Sequence, residues 1–196
     1  MRDGVSSTVS DSRTTRWIPA LALLAAVVVI VAANGQFRAV EAWAAQPLVA
    51  WVTGGGVAAT QDVVTFGLGT RSALGLQITP GCSTSVLIAP FLTIMAAVAG
   101  KSTVRISRVM AAASIGAVVL VGVNLVRLSG IAWATSTWGI HPGFEISHYL
   151  VGSIFAILGF AATLLLSVRI LTGSRPVRSR LVRSRRDAHV GRHRRS

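Results

Sequence analysis

Residues 109–128 read VMAAASIGAVVLVGVNLVRL, an apolar run in which Asn124 and Arg127 are the strongly polar exceptions. A membrane-crossing helix needs ~20 mostly apolar residues, each rising 1.5 Å, to traverse a hydrocarbon core of about 30 Å. The run meets that requirement and predicts a transmembrane helix. Three further stretches read the same way: Trp17–Ala33, roughly Ser83–Gly100, and Tyr149–Leu171. The expectation is an all-α membrane protein of about four transmembrane helices. Composition agrees, since 52% of the 196 residues are hydrophobic and 13% charged, with mean hydropathy +0.65. Soluble domains carry about 25% charged residues.

Six acids stand against nineteen Lys and Arg, for a net charge of +13, and ten of the nineteen lie from Arg169 onward. Basic residues in short flanking segments mark the cytoplasmic side. With the N-terminus inside, the inner segments hold sixteen basic residues, against Arg38 and Arg71 outside. Both termini are therefore expected in the cytoplasm of a multi-pass cell-membrane protein. The chain divides into a cytoplasmic tail at 1–16, an integral-membrane domain at 17–171, and a basic, disordered cytoplasmic tail at 172–196. That tail carries no nucleic-acid fold signature, so anionic lipid is the partner its charge implies.

The first apolar stretch has a second reading as a signal peptide, with Arg13 and Arg16 ahead of it and small residues at Val31-Ala32-Ala33. Its length favours a retained helix, and either reading leaves residue 35 on the same side. Residues 35–77 form the main external segment. It opens with an amphipathic helix, Phe37–Val52, on which Arg38 and Glu41 stand one turn apart. A glycine-rich stretch follows, lying at the membrane surface or re-entering the protein.

Threading the helices through the bilayer gives each polar residue a depth. Cys82, the single cysteine, lies ~27 Å above the inner end of the second helix near Gly100. Arg127 lies ~26 Å up the third helix, with Asn124 one turn below it on the same face. His148 stands in the first turn of the fourth. A thiol, a guanidinium and an imidazole thus share one layer at the outer face. Each has a plainer explanation as a packing cysteine, a snorkelling arginine or an interfacial cap, and His141 competes with His148. Together they are the parts for acyl transfer: a thiolate nucleophile, a base for its proton, and a cation for the thiolate or oxyanion.

One cysteine excludes an internal disulfide framework and any multi-cysteine zinc site. Pairing His141, Glu145 and His148 around a metal is disfavoured by Pro142 and Gly143, and no metal or other cofactor is expected.

The ordered motifs Gly-Cys82-Ser83, Asn124-Leu-Val-Arg127 and His148-Tyr-Leu-Val-Gly152 resemble those of the exosortase/archaeosortase family of integral-membrane transpeptidases. The resemblance spans roughly 36–171. Cys82-Ser83-Thr84 departs from the Cys-Ser-Gly of many exosortases, and four helices would make this a minimal member. What the resemblance implies is a cysteine transpeptidase or protease that cleaves C-terminal sorting signals of secreted proteins at the outer face. Such signals comprise a short motif, a transmembrane helix and a basic cluster, and transfer to an acceptor passes through a thioester. On this analogy Cys82 is the nucleophile, His148 the acid/base, Arg127 the stabiliser, and Asn124 a substrate-binding residue. The competing readings are a non-enzymatic membrane scaffold and a small transporter subunit, each with a lipid-binding basic tail.

Overall fold

The computed structural model describes residues 11–101 and 103–173, so the N-terminal tail falls outside it up to residue 10 and the basic tail from residue 174 on. The chain is mostly helical. Helix α1 (Asp11–Ala32) meets α2 (Asn34–Thr53) at a bend of 81°. At that corner the Asn34 side-chain amide donates to Ser85 Oγ at 2.7 Å, tying it to the start of α3 (Ser85–Lys101). Helix α4 (Ile106–Trp138) runs ten residues past the predicted end at Leu128, and α5 (Gly152–Thr172) completes the bundle.

By length and apolarity, Ile106–His141 and Ile146–Thr172 can each cross a membrane, and the bent pair α1–α2 makes a third candidate. Helix α3, at 17 residues, is shorter than these. Outward-facing Ile157, Leu158, Leu165 and Val168 on α5 and Val28 and Val29 on α1 give the bundle an apolar exterior. Such an exterior suits lipid rather than water.

The helices pack closely because small residues line their seams, the usual device where lipid removes a hydrophobic driving force between helices. Along α5 the buried positions are Gly152, Ala156, Thr163 and Ser167, facing α4. At Gly116 of α4 an added Cβ would lie 2.2 Å from Cζ of Phe91, the fully buried ring of α3. At one end of the bundle Ala20 of α1, Ala99 of α3 and Val109 of α4 form one cluster with Leu171 of α5. The opposite end carries α2, a small sheet, and the turn containing Cys82.

That sheet departs from the all-α expectation. The glycine-rich stretch folds as a three-stranded antiparallel meander, β1 (Gly56–Thr60), β2 (Val63–Leu68) and β3 (Leu74–Gln77). Gly54 ends α2 in the left-handed conformation (φ 67°) and donates its N–H to Ala50, releasing the chain into β1. Between the glycines stand Val57, Val63, Val64, Thr65 and Phe66, residue types that fit a pleated surface. Val64, Phe66 and Leu76 point inward with Ile78 onto Ala42, Ala45 and Val49 of α2 and Leu128 and Ile131 of α4. The sheet thereby caps one end of the bundle.

Candidate active site

Strand β3 leads through Ile78 and Thr79 into a 3-10 turn, Pro80–Cys82, from which α3 follows. Backbone bonds at each end fix this connection. The Ile78 N–H donates to the Asp62 carbonyl at 2.7 Å, and Arg38 Nη1 donates to the Ile78 carbonyl at 3.0 Å. The Cys82 N–H donates to Thr79 O at 2.9 Å, and Asn124 Nδ2 donates to the Cys82 carbonyl at 3.0 Å. With donor and acceptor both satisfied, the Cys82 backbone has little freedom, and its side chain is 4% exposed.

His148 comes to this thiol from the far side of the bundle. After α4 the chain kinks at His141 and then widens into π-type turns over Ile146–Val151. Such wide turns recur at functional sites because they re-aim side chains. Here they bring the imidazole to Cys82, with Sγ 3.6 Å from Nδ1 and 3.7 Å from Nε2. The near-equal distances single out neither ring nitrogen, so which one faces the thiol as acceptor depends on the tautomer. Phe144 stacks on the imidazole at 4.9 Å with planes 11° apart, and Tyr149 meets it edge-on at 5.0 Å. These rings hold the histidine against Cys82.

Arg127 stands one turn beyond Asn124 on α4 and lies against Gly152. A Cβ at residue 152 would fall 2.9 Å from its Nε. That Nε is buried and has no hydrogen-bond partner. Beside it a cavity of about 310 Å³ opens between α4 and the start of α5, with Trp133, Trp138, Ile146 and Phe155 in its walls. The guanidinium thus forms part of an apolar cavity wall, while its Nε stays buried against Gly152.

The structure therefore brings Cys82, His148 and Asn124 into contact and sets Arg127 one helical turn further, against Gly152. Asn124, expected to bind substrate, is instead fully buried and spends its Nδ2 on the Cys82 carbonyl and on Glu41 Oε1 at 3.3 Å. His141 faces away from the thiol and pairs with Glu145 at 2.7 Å on an exposed surface. Among the described residues no three His, Cys, Asp or Glu side chains gather where they could hold a metal ion.

Glu41 is the site residue that sequence reading missed. Its neighbour Arg38 turns away to Asp62, at 2.6 Å, while Glu41 is buried and accepts the Thr84 N–H at 2.7 Å. The available signal was its place in AVEAWAAQPLV, on the same helix face as Ala42, Ala45 and Val49.

No protein-family model matches the chain, and no match was found among curated proteins or among solved structures.

Proposed function

We propose that this protein is a membrane-embedded cysteine transpeptidase that cleaves C-terminal sorting signals of secreted proteins at the extracytoplasmic face. The observation that carries the reading is the 3.6 Å approach of the only thiol in the chain to His148, between residues 66 positions apart. In this reading α1, α3, α4 and α5 cross the membrane, and Lys101, Arg105 and Arg108 mark the cytoplasmic side. The sheet, α2 and Cys82 are external. The cluster of Ala20, Ala99, Val109 and Leu171 supports that arrangement, because it joins the ends of four helices that all four spans would place at one face.

The chemistry runs in two steps. His148 takes the Sγ proton as the sulfur bonds to the carbonyl carbon of the sorting motif, and the Arg127 guanidinium faces the oxyanion that forms. Collapse breaks the C–N bond, and the His148 proton passes to the leaving amine of the departing C-terminal segment. An acceptor amine or hydroxyl then attacks the thioester, surrendering its proton to His148 and returning the thiol.

Co-expression of wild type and Cys82→Ala with proteins bearing motif–helix–basic C-termini tests the reading by intact mass. Wild type removes the helix and Cys82→Ala leaves it in place at equal expression. Unchanged masses with both forms across all candidates, or processing that persists in Cys82→Ala, would sink the proposal.

A further inference from the structure

Glu41 lies 4% exposed in α2, among Ala42, Ala45 and Val49. A carboxylate there is costly unless it is hydrogen-bonded. Among the described residues no cation pairs with it; Arg38 turns its Nη1 to Asp62 and to the Ile78 carbonyl. Its Oε1 accepts from the Thr84 N–H at 2.7 Å and from Asn124 Nδ2 at 3.3 Å, while its Oε2 is buried without a hydrogen-bond partner. Both donors belong to the setting of Cys82. Thr84 is two residues beyond it, and Asn124 also donates to its carbonyl.

Two acceptors, Glu41 Oε1 and the Cys82 carbonyl, thus converge on one amide nitrogen, which settles the orientation of the Asn124 amide. Were the amide reversed, its oxygen would face two other oxygens and the turn would lose a support on each side. We infer that Glu41 is a positioning residue for the nucleophile. Through Thr84 and Asn124 it holds the 82–84 turn so that the thiol faces His148. Glu41 touches no reacting atom and acts through these two partners. Its consequence for catalysis rests on the transpeptidase reading, whereas its hold on the thiol can be measured without it.

Because Cys82 is the only cysteine, maleimide labelling of the purified full-length chain in detergent reports this one side chain. Labelling of a buried thiol follows the population of locally opened turn. Removing an acceptor shared by two buried donors is expected to speed labelling by about thirtyfold in Glu41→Ala. Glu41→Gln keeps an acceptor oxygen and stays within about fivefold of wild type. Glu41→Asp withdraws the oxygen by one methylene and behaves like Glu41→Ala, which serves where the alanine form does not accumulate. Processing of a sorting signal falls by about a hundredfold in the alanine and aspartate forms, the scale of a misplaced nucleophile, and is retained in the glutamine form.

Asp62→Asn weakens the Arg38 ion pair at the same α2–sheet junction, and its labelling rate is expected to match wild type. The inference is overturned if Glu41→Ala and Glu41→Asp both label like wild type. It is equally overturned if Glu41→Gln labels as fast as they do, or if Asp62→Asn accelerates labelling to the same degree. If the labelling pattern holds but wild type processes no sorting signal, the transpeptidase reading fails and the hold of Glu41 on the thiol stands.

Discussion

Gly152→Ala is the sharpest probe of how α5 is set against the site. The Cβ it introduces would lie 2.9 Å from Arg127 Nε and 2.9 Å from the Ser147 carbonyl oxygen, about half an ångström inside ordinary contact, which begins at 3.4 Å. The guanidinium alone could swing aside. The Ser147 carbonyl cannot do so cheaply, because it accepts the Gly152 N–H and so closes the π-type turn that carries His148. Overpacking of this kind costs ~1–3 kcal/mol. Displacing both Arg127 and the histidine turn should lower the processing rate by about a hundredfold. The rate is read by intact mass and the stability by thermal unfolding in detergent. Gly159→Ala is the matched control, since its Cβ would meet Val123 Cγ1 at 2.5 Å in the same α4–α5 seam, two turns from the site. It should lose comparable stability with a much smaller loss of rate. In an Arg127→Ala background one of the two clashes disappears. The stability cost of Gly152→Ala should therefore shrink by ~0.5 kcal/mol or more, the signature of coupled residues. Strict additivity, together with equal rate losses at 152 and 159, would refute the idea that this glycine makes room for Arg127.

Phe144→Ala removes the ring stacked on His148. An aromatic pair of this kind is worth ~0.5–1.5 kcal/mol, so His148 should react several-fold faster with diethyl pyrocarbonate, on the order of one such pairing energy, while processing slows. Unchanged histidine modification would show that the stack does not restrain the ring. Gly116→Ala drives a methyl into Phe91 and should lower unfolding stability by ~1–3 kcal/mol. Phe91 packs with Leu120 and Met95 in a cluster separate from the one around Cys82, so maleimide labelling of the folded protein should match wild type.

The helices were legible because their signal is local. An apolar run such as 109–128 declares itself whatever surrounds it, and each predicted span has a helix in the structure. The ends were less legible: α4 continues to Trp138 because nothing between Ser129 and Trp138 breaks a helix, and Ser129 and Thr135 bond back to carbonyls of their own helix. The sheet was obscured by composition. Glycines at 54–56, 67, 69 and 75 masked the alternation of Val64, Phe66 and Leu76, which a residue-by-residue reading of the inward positions would have exposed. Helical rise placed Cys82, Arg127 and His148 near one another, but rise gives height and not azimuth. It therefore could not show which partner each side chain meets: Asn124 turns to the Cys82 backbone and Arg127 lies against Gly152. Glu41 was beyond such reasoning for a different reason. Its partners lie 43 and 83 positions away, and the nearest opposite charge, Arg38, pairs with Asp62 instead. Only when α2 folds back across α4 do Thr84 and Asn124 arrive together at one oxygen. The acid that stands one turn from Arg38 in sequence is then the one that holds the turn carrying the Cys82 thiol.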